Sequence, residues 1–213
     1  MGLLVDTHVL GPARENCYVV RPAPGATEAV VVDPGDDATR LRLELARIEV
    51  RCAGILITHC HWDHLGAVAE LAEASGAPVY MARDEAPVLA SADEFYGALG
   101  LRIRPYQPDR LLDGAERFEL AGIGFETLTV PGHSPAHLAY LADGCLFSGD
   151  VLFAGGVGRV DLPGGDWDTL VASIRRLVET LSPDTKVYPG HGPPTTLGGE
   201  LARNPFLAEL RAS

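Results

Sequence analysis

Three imidazoles and a carboxylate crowd into Thr58-His59-Cys60-His61-Trp62-Asp63-His64, directly after the apolar run Ala53-Gly54-Ile55-Leu56-Ile57. An apolar run of that length reads as a buried strand, and the polar cluster begins where the strand stops. His59 and His61 lie two apart in extended chain and project to one side, while Asp63 and His64 turn in as a helix begins. Cys60 and Trp62 then point elsewhere, into packing. Neutral imidazole and carboxylate are the common donors to zinc and to other first-row divalent metals, so the segment reads as part of a metal site.

The same device recurs further along the chain. The run Phe125 to Val130 ends in Pro131-Gly132-His133-Ser134, Cys145 to Ser148 ends in Gly149-Asp150, and Val187-Tyr188 ends in Pro189-Gly190-His191-Gly192. Proline and glycine force turns, so each motif delivers one metal-competent side chain at a strand tip. Any one of these is weak evidence, but five of the seven histidines fall in the four motifs. Of the other two, His137 is expected to open a strand and support the site through a hydrogen bond, and His8 to be a surface or edge residue.

Strands are expected at Asn16 to Val20, Ala29 to Asp33, Ala53 to Thr58, Pro78 to Met81, Gly124 to Val130, His137 to Leu141, Cys145 to Ser148 and Lys186 to Tyr188. Helical spacing relates Trp167, Leu170, Val171, Ile174, Leu177, Val178 and Leu181, with Asp166 placed to cap. A second helix carries Leu41, Leu45 and Ile48. A third begins inside the histidine motif, with Leu65, Val68, Ala69 and Ala72 on one face. Between Arg83 and Arg110 a helix or two is expected, ended by Pro105 and Pro108. The alternation defines an α/β chain, read as one domain over residues 1–213.

A formal charge of -12, with arginines scattered along the chain, speaks against a nucleic-acid partner. No apolar stretch approaches membrane length and no basic start followed by an apolar leader is visible. Cys17, Cys52, Cys60 and Cys145 form no CxxC pair and read as reduced thiols of a cytoplasmic protein. Oligomeric state is not legible.

The ordered set HxHxDH, Gly-His, Gly-Asp and Gly-His over residues 58 to 192 resembles the metallo-β-lactamase-fold hydrolases. That resemblance implies an αββα sandwich with two divalent metal ions in a cleft along the sheet edges, zinc first, with iron and manganese served by the same donors. It also implies that His59, His61 and His133 hold one ion, that Asp63, His64 and His191 hold the other, and that Asp150 bridges them. Within the fold, Gly158-Arg159-Val160-Asp161-Leu162-Pro163-Gly164-Gly165-Asp166, Tyr188-Pro189-Gly190-His191-Gly192 and Asn204-Pro205-Phe206-Leu207 look like short bacterial members of the glyoxalase II group. Long members carry a C-terminal helical domain with glutathione contacts, for which little chain remains after His191. Arg159 matches a cationic glutathione contact, whereas Asp161 stands where an aromatic one is found.

These resemblances imply a hydroxyacylglutathione hydrolase, a small-molecule thioesterase that attacks a 2-hydroxyacyl thioester of the S-lactoylglutathione kind with a hydroxide shared by the two ions. Metal binding brings the pKa of water from about 15.7 to near 7, which makes such a nucleophile available at neutral pH. Asp63 is the expected catalytic residue, orienting that hydroxide, and Arg159 the candidate to hold a substrate carboxylate. An alternative of a different class is a mononuclear-iron persulfide dioxygenase of the same fold. Cys60 and the Gly-Arg-x-Asp stretch resemble it, and its iron would take His59, His133 and Asp150.

Overall fold

The protein was analysed as a computed structural model, which describes residues 2–211. The first sheet is ordered β1 (Leu4–Leu10), β2 (Glu15–Arg21), β3 (Glu28–Val32), β4 (Arg51–Leu56), β5 (Val79–Ala82) and β6 (Arg110–Leu112). Strands β1 to β3 pair antiparallel and β3 to β6 parallel. Parallel neighbours need crossovers. These are supplied by α1 (Ala38–Arg47), by α2 (Trp62–Leu65) with α3 (Val68–Ser75), and by α4 (Ala86–Ala90) with α5 (Ala92–Gly97). The second sheet contains β7 (Arg117–Leu120), β8 (Ile123–Thr129), β9 (Leu138–Ala142) and β10 (Cys145–Gly149). A ribbon of β11 (Leu152–Phe153) and β12 (Gly156–Val157) and the helix α6 (Trp167–Thr180) follow. The chain then returns through β13 (Lys186–Pro189), β14 (Thr195–Thr196) and α7 (Leu197–Arg203), giving the sheet order β14-β13-β10-β9-β8-β7.

Strand alternation sorts the apolar residues into three layers. Val19, Val31, Ile55 and Ile57 point outward and pack with Leu41 and Leu45 of α1 and Val68 and Leu71 of α3. Their neighbours Val20, Val30, Val32 and Leu56 point inward, against Phe125, Leu138, Tyr140 and Phe147 of the other sheet. On the far side Ala139, Leu146 and Val187 meet Leu170, Ile174 and Leu177 of α6. Both faces of each sheet are therefore covered, which explains the continuous apolar runs of the central strands. The result is the expected αββα sandwich.

The capping of α6 follows the sequence, with the Asp166 side chain accepting from the Thr169 amide at 2.8 Å. The third expected helix is instead broken into α2 and α3. Gly66 packs on the backbone of the loop after β3, where a Cβ would lie 2.2 Å from the Gly35 carbonyl oxygen. Next to it the Ala67 amide donates to the Pro34 carbonyl at 2.9 Å. Tertiary contact with that loop thus replaces helix continuation. Strand β1 was not read from the sequence, because as an edge strand it is only partly buried, with His8 half-buried on it.

Candidate metal centre

Four chain segments leave the sheets along one edge: those after β4, β8, β10 and β13. They bring together His59, His61, Asp63, His64, His133, Asp150 and His191, all seven residues singled out as donors. Ligand atoms of His59, His61 and His133 lie within 4.8 Å of one another, and so do those of Asp63, His64 and His191, and those of His59, His64 and Asp150. Asp150 faces both groups, with Oδ2 at 3.6 Å from His133 Nε2 and 3.5 Å from His191 Nε2, and Oδ1 at 3.5 Å from His64 Nε2. His61 Nδ1 lies 2.8 Å from His133 Nε2.

A direct test of fit is whether these atoms need a partner. His59 Nε2, His64 Nε2 and Asp150 Oδ1 are buried without a hydrogen bond. Leaving buried polar atoms unpartnered is unfavourable, and a cation satisfies imidazole lone pairs and a carboxylate together. Tetrahedral nitrogen donors about 2.05 Å from zinc sit about 3.3 Å apart. The spacings of 2.8 to 3.6 Å bracket that value.

The ionisation of the metal-free groups divides the site. Burial, reinforced by the surrounding histidines, holds His59 well below the usual imidazole range. Burial and then His133 bring His61 down to about 4. Both rings are neutral near pH 7 and offer lone pairs. Burial would raise the Asp150 carboxyl, but His64 and His191 outweigh it and hold it well below the carboxylate range. Burial likewise opposes a charged His191, and the Asp150 and Asp63 carboxylates override it, lifting the ring to about 9.

The rings are fixed from behind. His133 Nδ1 meets the Arg159 carbonyl oxygen at 2.7 Å, and His59 Nδ1 meets Thr58 Oγ1 at 3.0 Å. His137, as anticipated, directs Nε2 to the Ser148 carbonyl at 3.1 Å, and its ring stacks on His59. Gly190 is required sterically, since a Cβ there would stand 2.1 Å from Asp150 Oδ1. The His191 turn is also clamped from the other sheet. Asn16 donates its amide to the carbonyls of Pro189 at 2.9 Å and Gly192 at 2.7 Å.

Two supporting residues were missed. Asp33 accepts from the amide and hydroxyl of Thr58, both at 2.7 Å, and stands 3.0 Å from His64 Nδ1. Its signal was present, since Asp33-Pro34-Gly35 closes β3 with the same turn residues as the other motifs. Glu85 had none, lying in an alanine-rich stretch. It is buried and accepts from the Cys60 amide at 2.7 Å, Ser134 Oγ at 2.6 Å and the Ala136 amide at 2.9 Å. One carboxylate thereby ties the His59–His61 loop to the His133 loop.

Cys60 and Trp62 pack partly buried against the outer core, as expected, and burial pushes the Cys60 thiol up. All four cysteines are free. A cavity of about 760 Å³ opens over the centre, lined by His61, Asp63, His133, Asp150 and His191 and by an apolar wall. Arg159 lines it too, but its guanidinium is engaged by Asp161, Nε to Oδ1 and Nη2 to Oδ2, each at 2.6 Å.

This fold and this donor set define a metal-dependent hydrolase. The chain belongs to the metallo-β-lactamase superfamily, whose family model matches residues 10–191. It is 38% identical to the hydroxyacylglutathione hydrolase GloC of Haemophilus influenzae, over 91% of this chain and 93% of that protein. The crystal structure of BLEG-1 B3 metallo-β-lactamase is 38% identical, with a TM-score of 0.90 over 96% of this chain and all of the other. That of TTHA1623 in a di-iron-bound form is 44% identical, with a TM-score of 0.85 over 95% of this chain and 100% of that one. Membership implies divalent metal binding. Among the described residues no helix is long and apolar enough to cross a membrane.

Proposed function

We propose that the protein hydrolyses 2-hydroxyacyl thioesters of small thiols with two divalent ions, one held by His59, His61 and His133 and the other by Asp63, His64 and His191, with Asp150 between them. The observation that carries this reading is the convergence of seven donors, with buried unpartnered atoms among them, at the floor of a substrate-sized cavity. Similarity to a hydroxyacylglutathione hydrolase over nearly the whole of both chains supports the reaction class. When bound, the ions supply Lewis-acid polarisation of the thioester carbonyl and bring the pKa of water near 7.

The chain's own contribution is orientation. Asp63 Oδ2 is 3.2 Å from His191 Nε2, and its carboxylate borders the cavity, where it accepts a hydrogen bond from the attacking water and sets its approach. Water adds to the carbonyl carbon, the carbon–sulfur bond breaks, and the products are a 2-hydroxy acid and a thiol. A thiolate with a conjugate acid near pKa 8.5 leaves without a strong general acid.

Zinc is the first candidate metal. The same donors serve iron and manganese, and a relative with 44% identity holds two irons. The mononuclear-iron oxygenase reading leaves His61, Asp63, His64 and His191 without a common purpose, so the hydrolase is preferred. The deciding experiment measures metal content on protein purified without added metal, together with turnover of lactoyl thioesters, oxygen uptake with glutathione persulfide, and cleavage of a chromogenic cephalosporin. Thioester turnover with about two ions per chain supports the proposal. About one iron per chain with oxygen uptake and no thioesterase, or β-lactam cleavage alone, contradicts it.

A further inference from the structure

We infer that the cavity over the metal centre selects thioesters whose thiol part is uncharged and apolar, and that Asp161 sets this preference by occupying Arg159. The inference rests on the hydrolase reading for its reaction but on the cavity alone for its selectivity.

The wall of the cavity includes Trp62, Phe95, Leu99, Phe153, Val157 and Leu162. Phe95 and Leu99 are 52% and 69% exposed, among the few large apolar side chains of the described residues left in water. Exposed apolar groups gathered on the rim of a cleft are the usual mark of a surface that a ligand covers. Both belong to the α5 region, which the metal centre does not need for its donors. An apolar thiol lying against them gains about fourfold in affinity for each methylene it buries.

Charge points the same way. Apart from histidines, the charged side chains lining the cavity are Asp63, Asp150 and Arg159. A carrier with carboxylates, such as a peptide thiol, needs a cation outside the metal centre. Among the described residues Arg159 is the only lysine or arginine on the lining, and its two-pronged donor face already meets both oxygens of Asp161. Because Asp161 is two residues away on the same loop, a substrate carboxylate must displace an intramolecular partner. The pair is exposed, so the discrimination it imposes is modest. The chain's charge of -12 adds a general repulsion of anionic carriers.

The test uses the metal-loaded full chain and two lactoyl thioesters, of glutathione and of 2-phenylethanethiol. Stable thioether analogues, with a methylene in place of the carbonyl, are measured in parallel by calorimetry. The expected kcat/KM for the phenylethyl thioester is about tenfold or more above that for the glutathione thioester, with the same order for the analogues. Asp161→Asn should shift the ratio toward glutathione by about 3- to 10-fold, and Arg159→Gln in that background should reverse the shift. Equal or better use of the glutathione compound, or a ratio unmoved by Asp161→Asn, overturns the inference. If neither thioester is cleaved yet the phenylethyl analogue binds about tenfold tighter, the hydrolase reading fails and the cavity inference stands. If neither analogue binds, the inference falls whatever the turnover.

Discussion

The two halves of the proposed metal centre are built differently. His59, His61 and His133 form a group with no carboxylate of its own, with His59 and His133 buried and His59 Nε2 unpartnered. Asp63, His64 and His191 form a half that has its own carboxylate and partly compensates itself, since His191 Nε2 stands 3.2 Å from Asp63 and 3.5 Å from Asp150. Losing an ion from either half strands a buried imidazole, His59 Nε2 in the first and His64 Nε2 in the second, but only the second half keeps an ion pair of its own, between His191 and Asp63. The difference teaches that a carboxylate inside a half, which compensates its ring once the ion has gone, lets that ion leave more readily.

Asp150 is the residue common to both halves, so Asp150→Ala should remove the distinction altogether. Metal-supplied stabilisation is worth several kcal/mol, and the variant should lose about 10³-fold or more in thioester kcat with both ions bound weakly. Retention of full activity with two ions would break the two-half description. Asp63→Ala acts on one half only. It should cost about 10²-fold in kcat while the first ion stays resistant to chelator. Stepwise competition with a chelator should then show two release steps for the native protein and one for this variant.

Glu85→Ala sharpens the comparison from the other side. It cuts the tie between the two loops that carry the first group, and supporting partners of this kind are worth about 10- to 100-fold in metal affinity. The later release step, that of the first-group ion, should move and the earlier one should not, with Glu85→Gln intermediate. The smallest effect is expected away from the centre. Thr196 caps α7 by accepting from the Gly199 amide at 3.1 Å. Thr196→Ala should lower stability by about 1 kcal/mol, seen as a Tm shift of about 2 to 4 °C, with both release steps unchanged.

The seven donors were legible because their signal is local: polar residues at the end of an apolar run, crowded together from His59 to His64 and placed singly by Pro or Gly at His133, Asp150 and His191. The central strands were legible for a similar reason, since Val30 to Val32 and Ile55 to Ile57 are buried on both faces. What could not be read depends on distant contact. The break at Gly66 is imposed by the Gly35 loop, and Glu85 acts only because the fold brings Cys60, Ser134 and Ala136 around it. Strand β1 escaped because an edge strand carries a diluted pattern. Arg159 was placed on the cavity as read, but its engagement by Asp161 is a matter of side-chain geometry that residue types do not reveal.

The most direct test is chelator competition on the native protein, with bound metal and thioester turnover followed together. The account predicts about two divalent ions per chain that leave in two steps, with thioester turnover falling at the first release and structure perturbed only at the second. A single ion, or turnover that survives removal of all metal, would contradict it.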